Sequence, residues 1–449
     1  MDLLKPIVKH ATWDLYLRRD GYDVAPYRSP LSASQYAAPE LLRELQLSRL
    51  RTLLRFAFDS NKFYRRRFDA CGFAPGDLRT LEDIVALPIL TKDDIRDALS
   101  KSFSDGYSVS NSVHKRTGGS TGVPLHNYID YRAASAKRAA VERHNAWAGW
   151  TPGTKVASVW GDTDKPRDWK LRLRNALTDR SVYLDTLMFD DDHIERFLRA
   201  VRQYQPSVLM GHAHSAYRLA EYISKVGAYQ ASFDSVVTTA MVLTPSERSV
   251  IERAFHTRVF DRYGCEELSI VASECPAHDG LHVFAEGLLV EILGETPDRP
   301  GKLVITDLLN HAMPLIRYEI GDFASSASGS CACGRTLPRL RRIEGRTADF
   351  LFRPDRVPVF GISILDTFVI HIAGFKQVQI VQERYDHLHF LIVRDTAYSE
   401  SSLVALAKSV AQIFGDRMTF DVSFVDSIPL TARGKYRFSI CKIPDVSNS

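Results

Sequence analysis

A glycine-rich loop without a lysine of its own has the composition of a phosphate-binding segment. The run Arg116–Pro124 reads Arg-Thr-Gly-Gly-Ser-Thr-Gly-Val-Pro. Its glycines, Gly118, Gly119 and Gly122, let the backbone approach an anion, and the hydroxyls between them add donors. A P-loop NTPase has a lysine directly after the last glycine, where this chain has Val123. Alone, the loop is equally compatible with a plain turn.

The cation that such a site requires is predicted at the other end of the chain, at Lys435. This lysine closes the run Pro-Leu-Thr-Ala-Arg-Gly-Lys near the C-terminus. A nucleotide site whose loop and lysine lie at opposite ends of the sequence indicates two domains that close over a substrate.

Two segments between the loop and Lys435 contain residues suited to the rest of a nucleotide. In Asp-Arg-Tyr-Gly-Cys-Glu-Glu, Tyr263 offers an aromatic face to a base, and Glu267 offers a carboxylate to Mg²⁺, which prefers oxygen ligands. Further on, Asp322 follows a glycine, where its carboxylate could accept hydrogen bonds from a ribose diol. Turns with solvated acids are the alternative for both segments.

Four Cys and His residues have the donor types of a closed zinc site. Cys331 and Cys333 form a tight Cys-x-Cys pair, and Cys275 and His282 lie upstream. Three thiolates and one imidazole suit tetrahedral Zn²⁺ with no open position, so the predicted ion is structural. The spacing is not a standard zinc-finger pattern, and four unrelated residues are the alternative. His278 is the reserve ligand.

The elements that must position these residues begin with a helical region. Residues 40–100 have helical periodicity, including an amphipathic stripe from Leu50 to Ala57, and Thr91 has the position of a helix cap. Between about 155 and 325, short apolar runs alternate with helical patterns, which is typical of α/β architecture.

A separate unit is predicted from residue 347 onward, where a strand pattern at 388–392, a helical pattern at 403–413 and a second strand pattern at 420–424 follow one another. The predicted fold is therefore α/β. A large N-terminal domain with mixed sheets and helices spans 1–346, and a small mobile α+β domain spans 347–449 and carries Lys435.

Composition excludes few classes of protein. The chain has 449 residues and a net charge of +4, too mild to imply nucleic acid, and its short basic runs are typical of solvated surface. The N-terminus lacks the apolar segment of a signal peptide, and no run approaches a membrane span. We expect a cytoplasmic protein with neither nucleic acid nor membrane as partner, and leave a homodimer open.

Taken together and in this order, the motifs resemble those of the adenylate-forming superfamily of acyl-CoA synthetases, adenylation domains and luciferases. The chain looks most like the branch of phenylacetate-CoA ligases and capsular-polysaccharide adenylating proteins. That branch shares the N-terminal segments Asn61–Arg65 and Leu87–Lys92, which typical acyl-CoA synthetases lack. The resemblance covers nearly the whole chain, and similar Cys/His segments occur in the family.

The resemblance implies a role for each motif. Tyr263 would stack on adenine, Glu267 would bind Mg²⁺, and Asp322 with Arg346 would hold the ribose hydroxyls. Lys435 would bridge the attacking carboxylate and the α-phosphate, so Lys435 and Glu267 are the predicted catalytic residues. The β/γ-phosphates of ATP would lie on the loop residues Thr117, Gly118, Gly119, Ser120, Thr121 and Gly122.

Two positions depart from the family pattern. Ala348 stands where the family usually has an acidic residue at the pivot of the small domain, although hinges tolerate varied residues. Thr239 and Ala240 begin a Thr-Ala-Met run where phenylacetate-CoA ligases commonly have Gly-Ala-Glu. That second departure weakens any assignment of phenylacetate itself.

His212 and His214 invite a catalytic interpretation, because histidine is the usual acid–base residue. Adenylation needs no general base, however. We expect their segment to line the substrate pocket, together with Thr239 and Ala240, or to cap the helix that follows.

These residues predict an ATP-dependent ligase that makes an acyl-adenylate and pyrophosphate and then transfers the acyl group to coenzyme A. The expected acid is an aryl or small organic acid. An adenylate-forming enzyme with another acceptor (an amine, a carrier protein, a sugar or nitrite) is the alternative. A third hypothesis, supported only by Ala348, is a nucleotide-binding scaffold that has lost catalysis.

Overall fold

The computed structural model describes residues 2, 4–98, 102–116, 125–161, 169–227, 232–297, 299–346, 350–359, 368, 372–429 and 437–443. Four predicted features lie outside these ranges: the glycine loop Thr117–Gly122, Ala348, the remainder of the hinge at 347–349, and Lys435.

The described helices alternate with strands through most of the chain. Their bounds are α1 Leu4–Ile7, α2 Trp13–Arg19, α3 Ala25–Ser34, α4 Pro39–Ser60, α5 Lys62–Cys71, α6 Lys92–Ala98, α7 Tyr131–Trp147, α8 Trp169–Leu177, α9 Asp191–Tyr204, α10 Ala213–Val226, α11 Pro245–Phe255 and α12 Glu400–Phe414. A π-helical turn joins α1 to α2, and short 3₁₀ helices occur at Pro75–Asp77, Glu82–Ala86 and Val109–Asn111.

The strands are assigned as follows: β1 Val113–Arg116, β2 His126–Ile129, β3 Val156–Trp160, β4 Ser181–Asp185, β5 Val208–His212, β6 Ser235–Thr239, β7 Val259–Cys265, β8 Ser269–Glu274, β9 Leu281–Val283, β10 Leu288–Leu293, β11 Gly301–Asp307, β12 Tyr318–Ala327, β13 Arg339–Arg346, β14 Leu351–Phe352, β15 Pro358–Val359, β16 Phe375–Arg384, β17 His387–Arg394, β18 Thr419–Phe424 and β19 Ser439–Cys441.

The large sheet is half parallel and half antiparallel. Its 11 strands run in the order β10-β11-β12-β13-β9-β8-β7-β6-β5-β3-β4. The pairs from β4 to β7 are parallel, whereas every pair from β7 to β10 is antiparallel. Strand β7 is therefore the junction between the two halves; it contains Tyr263, and Glu267 lies two residues past its C-terminal end.

Two packed faces hold the parallel half in place. Helices α9, α10 and α11 cover one face, where Ala157, Val159 and Leu209 are completely buried. The partly accessible residues of β3 and β5 alternate with them, as a two-residue period requires, and point to the face that α7 covers.

The predicted helical region at 40–100 is confirmed as α4, α5 and α6, but residues 72–91 contain only two short 3₁₀ helices. In α4, the residues from Leu50 to Ala57 that share one helical face have no exposed surface. Before α6, the Thr91 hydroxyl accepts from the Asp94 amide while the Asp94 carboxylate accepts from the Thr91 amide, so the predicted cap is confirmed.

The C-terminal residues form a four-stranded sheet in the order β18-β17-β16-β19, with α12 packed on it. The three predicted elements of this unit are confirmed as β17, α12 and β18. Leu388, Phe390 and Ile392 are fully buried in its own core. A boundary near residue 347 stays a prediction.

The mixed α/β class is confirmed. Within the described residues, no helix combines the length and the hydropathy that crossing a bilayer would demand.

Candidate active site

Tyr263 of β7 and Asp322 of β12 are in direct contact. The Tyr263 hydroxyl donates to Asp322 Oδ2 over 2.5 Å. In a flat sheet, two strands separated by three others would lie about 19 Å apart. The sheet must therefore curl between β7 and β12, and this curvature creates a concave site at the parallel–antiparallel junction. The structure thus brings together the predicted base-stacking and ribose-binding residues.

Glu267 lies in the same place, just past the end of β7. Its side chain is 4% exposed, and the Tyr318 hydroxyl of β12 donates to its Oε1 over 3.0 Å. The Asn127 amide of β2 donates to its backbone carbonyl over 3.2 Å. Tyr318 therefore orients the carboxylate predicted to bind Mg²⁺, and Asn127 holds the backbone of the same residue.

The charges around this cluster are acidic and enclosed. Burial raises the pKa of Tyr318 well above its ordinary value, and the nearby carboxylates of Glu267 and Asp322 raise it further. Burial also raises the pKa of the Cys265 thiol, as does Glu267. Tyr318 therefore stays a hydrogen-bond donor at neutral pH, and the two carboxylates lie close to its hydroxyl. Such a pair suits a divalent cation and hydroxyl groups.

The strands on either side of the glycine loop contact this cluster. Strands β1 and β2 pair antiparallel up to Arg116 and His126, the residues nearest the loop on each side. Asn127, which holds the Glu267 backbone, follows directly. The described ends of the loop are therefore anchored next to Glu267.

Arg346 is the last residue of β13, and its backbone is opposite Asp322 in the ladder with β12. The preceding Gly345 has a φ of 120°, which favours glycine. Asp322 and Arg346, the two residues predicted to hold the ribose, are therefore backbone neighbours on adjacent strands. The role of Arg346 stays a prediction.

The predicted pocket residues end two neighbouring parallel strands. His212 of β5 is opposite Thr239 of β6, and the His212 ring lies 4.2 Å from the Trp160 ring of β3. Ala240 follows with a φ of 66°, a conformation that is uncommon without glycine and occurs at strained functional positions. His212 is the N-cap residue of α10, but its side chain makes no capping hydrogen bond.

His214 has a different environment from His212. It is one residue inside α10, and its Nδ1 lies 2.9 Å from Glu247 Oε1 of α11, which is completely buried. Glu247 also completes a capping box with Thr244. His214 therefore joins two helices, and its role in a substrate pocket stays a prediction.

The four predicted zinc ligands converge. The donor atoms of Cys275, His282, Cys331 and Cys333 all lie within 4.8 Å of one another. The Sγ atoms of Cys275 and Cys331 are 3.7 Å apart, too far for a disulfide and close to the roughly 3.8 Å edge of a tetrahedron with 2.3 Å Zn–S bonds. His282 Nε2 lies 3.3 Å from Cys333 Sγ. The alternative of four unrelated residues is wrong.

The surroundings of His282 fit a metal ligand. Its Nδ1 lies 3.2 Å from the Leu337 carbonyl, which accepts the Nδ1 proton and leaves Nε2 free to coordinate. Burial lowers the pKa of His282 to about 4, so the ring is neutral near pH 7. The reserve ligand His278 instead contacts Glu274, with Nδ1 3.1 Å from Oε2. The residues present therefore fit a tetrahedrally coordinated metal ion with no open coordination position.

Several residues that shape the site were missed by sequence reasoning. Tyr318 and Asn127 hold Glu267, Trp160 packs on His212, and Arg262 donates to Asn145 of α7 over 2.8 Å. Tyr318 lies in the motif that contains Asp322, and Arg262 lies in the motif that contains Tyr263. This proximity in sequence is what could have indicated their place in the site. Neither Asn127 nor Trp160 has a pattern that links it to the site, because both contacts are long-range.

Known protein sequences are similar to this chain over most of its length. Residues 351–442 match the family described as the CapK C-terminal domain. The phenylacetate-coenzyme A ligase of Thermus thermophilus is 27% identical over 378 residues, which is 81% of each chain. Protein CapK of Staphylococcus aureus is 25% identical over 417 residues, which is 90% of each chain.

Solved structures give the same fold. The chain matches 2-hydroxyisobutyryl-CoA ligase in its postadenylation state with a TM-score of 0.72, 20% identity and 91% of each chain covered. Against that enzyme in its thioesterification state the TM-score is 0.57, at 22% identity and 92% coverage of each chain.

These relatives support an AMP-forming ligase. The chain is similar to phenylacetate-CoA ligases and to CapK, as its motifs predicted.

Proposed function

We propose that the protein activates a carboxylic acid with ATP and transfers the acyl group to coenzyme A. A carboxylate oxygen attacks the α-phosphorus of ATP and pyrophosphate leaves. The coenzyme A thiol then attacks the acyl carbon, loses its proton and displaces AMP. The acid in this proposal is an aryl or small organic acid.

The observation that carries the proposal is the contact between Tyr263 and Asp322. Glu267 lies beside them and is bonded to β2, one of the two strands that flank the glycine loop. Tyr263 would present its ring to adenine, Asp322 would accept from the ribose hydroxyls, and Tyr318 would keep the Glu267 carboxylate oriented. Glu267 would hold Mg²⁺, which neutralises phosphate charge when bound. Lys435 would contribute a mobile positive charge from the small domain.

The Cys/His cluster would hold a structural zinc. Its four ligands leave no open position, and they join the turn after β8 to the connection between β12 and β13. Because β12 and β13 carry Asp322 and Arg346, the ion would fix the ribose-binding strands against the rest of the sheet.

A second candidate transfers the acyl group to a different acceptor, such as an amine, a carrier protein, a sugar or nitrite. It is favoured by the match of residues 351–442 to the CapK C-terminal domain and by the similarity to CapK over 90% of the chain. Cytoplasmic location, a homodimer and the absence of nucleic-acid or membrane partners remain predictions.

Pyrophosphate release screened over a panel of carboxylic acids, with and without coenzyme A, tests the proposal. We expect acid-dependent release, and an acyl product that forms only when coenzyme A is present. Acid-dependent release with no thioester would favour the second candidate. Absence of ATP–pyrophosphate exchange with every acid would contradict both and revive the inactive scaffold.

A further inference from the structure

Arg317, the residue directly before β12 and Tyr318, has an uncommon backbone conformation. Its φ is 51°, in the left-handed region that a residue with a long side chain rarely enters. Such strained conformations persist only where the surrounding structure holds them, and they cluster at functional sites. Because the next residue, Tyr318, binds the carboxylate of Glu267, the conformation of Arg317 bears on the candidate active site.

The backbone of Arg317 is bound on both sides. Its amide donates to Thr306 Oγ1 of β11 over 2.9 Å, and its carbonyl accepts from the Leu90 amide over 2.8 Å. The Leu90 carbonyl in turn accepts from the Glu319 amide over 2.9 Å, so that Leu90 and Tyr318 form a parallel bridge. The N-terminal segment that contains Leu90 is therefore paired with the start of β12.

The side chain of Arg317 ties the same N-terminal segment to the sheet. Its Nη1 donates to the carbonyls of Val85 and Leu87, while its Nε and Nη2 donate to the two carboxylate oxygens of Glu291 on β10 over 3.1 and 2.8 Å. The Arg317 and Glu291 side chains are 7% and 13% exposed. Loss of one partner would leave the other charge enclosed and unpaired, so this bidentate pair strongly constrains Arg317.

A contact from α5 fixes the residues just before Arg317. The Tyr64 hydroxyl donates to the Pro314 carbonyl over 2.7 Å and accepts from the Ile316 amide over 3.1 Å. Burial raises the pKa of Tyr64, so its hydroxyl keeps the proton that it donates. Helix α5 and the segment around Leu90 therefore both bind the residues that lead into β12.

We propose that Arg317 is a positioning residue for the Glu267 carboxylate and that it acts through Tyr318. The inference rests on the proposed adenylation, in which Glu267 holds Mg²⁺. With Arg317 in its left-handed conformation, the Tyr318 hydroxyl lies 3.0 Å from Glu267 Oε1. If Arg317 loses its side-chain contacts, its backbone relaxes and turns the adjacent Tyr318 away from Glu267. The segments Asn61–Arg65 and Leu87–Lys92 thereby help to orient a cation-binding carboxylate.

The test is a double-mutant cycle of Arg317→Met and Tyr318→Phe, read as the Mg²⁺ concentration that half-saturates ATP–pyrophosphate exchange. Each single variant should raise this concentration about tenfold, the effect of one lost hydrogen bond. The double variant should raise it no further than Tyr318→Phe alone, because both changes remove the same orientation of Glu267. Arg143→Met, which removes a buried bidentate pair with Glu286, is the matched control and should lower the Tm without changing the Mg²⁺ requirement.

Calorimetric titration with ATP gives a readout that needs no turnover. In Arg317→Met, the affinity for ATP should fall about tenfold at low Mg²⁺ and approach the wild-type affinity at saturating Mg²⁺. If Arg317→Met does not fold, Glu291→Gln takes its place in both measurements, because it weakens the hold on the guanidinium and keeps the arginine.

A wild-type Mg²⁺ requirement in Arg317→Met, with a Tm lowered as in Arg143→Met, overturns the inference and leaves Arg317 with a structural role alone. A double variant whose shift is the product of the two single shifts also overturns it, because Arg317 would then act separately from Tyr318. Absence of exchange with every carboxylic acid overturns the proposed function. The titration then decides the inference, which fails if wild type and Arg317→Met bind ATP equally at low Mg²⁺ or if neither binds it.

Discussion

Two clusters of potential ligands on the same half of the large sheet differ in their donor atoms. The oxygen cluster of Tyr263, Glu267 and Asp322 is held by long-range hydrogen bonds from Tyr318 and Asn127. The thiol cluster of Cys275, His282, Cys331 and Cys333 points all four donors inward at one another. Hard oxygen donors suit a substrate with phosphates and Mg²⁺, whereas four soft donors that face one another suit a permanent ion.

We therefore expect the oxygen cluster to act in catalysis and the thiol cluster to stabilise the fold. Damage to the oxygen cluster should reduce turnover in a protein that stays folded. Damage to the thiol cluster should reduce stability first, because loss of the proposed zinc would free the β12–β13 connection from the turn after β8. Activity and stability measured on the same variants therefore test whether the two clusters have these different roles.

The largest effect is expected from Asp322→Ala. It removes the acceptor for the ribose hydroxyls and the partner of Tyr263, so kcat/KM for ATP should fall about 100- to 1,000-fold in ATP–pyrophosphate exchange. Glu319→Ala, three residues earlier on β12, is the matched control, because the one ion pair of Glu319 among the described residues is with Lys302 at 3.9 Å. An Asp322→Ala enzyme with unchanged kcat/KM would remove Asp322 from the nucleotide site.

Cys331→Ser should lower the free energy of unfolding by about 3 kcal/mol, because a closed ion site contributes directly to folding. Metal analysis by mass spectrometry should find about one zinc per wild-type chain and much less in the variant. Cys71→Ser, at an exposed cysteine outside the cluster, is the control and should change neither the Tm nor the metal content. Wild-type protein without zinc but with the same Tm after chelation would refute a structural ion.

Tyr318→Phe should have the smallest effect of the three. It removes one hydrogen bond to Glu267 and leaves the carboxylate in place, so activity should fall about tenfold. The loss should be partly restored by excess Mg²⁺, since the variant would bind the cation less well. Measurement of exchange rate against Mg²⁺ concentration checks this expectation, and an unchanged Mg²⁺ dependence would show that Tyr318 does not act through Glu267.

Local patterns in the sequence predicted much of this architecture. The stripe from Leu50 to Ala57, the Thr91 cap and the strands and helix of the C-terminal unit all follow from periodicity and capping chemistry within a few residues. The convergence of Cys275, His282, Cys331 and Cys333 also agrees with the sequence, because their donor types are rare enough to stand out from their neighbours.

What the sequence could not predict depends on the three-dimensional path of the chain. The curl that brings Tyr263 to Asp322 arises from the pairing of strands distant in sequence, and so do the contacts of Asn127 with Glu267 and of Trp160 with His212. A cavity between α7 and the sheet is lined by residues from α2, α7 and three strands. No local sequence pattern predicts that these distant residues meet.

Adenylate formation in Lys435→Ala is the most direct test of a nucleotide site completed by the small domain. We expect ATP–pyrophosphate exchange to fall at least 100-fold, because the attacking carboxylate and the α-phosphate lose the charge between them. Lys442→Ala should keep the wild-type rate, since Lys442 lies seven residues further on and, among the described residues, pairs with exposed Glu383. Exchange at the wild-type rate in Lys435→Ala would show that Lys435 has no part in adenylation.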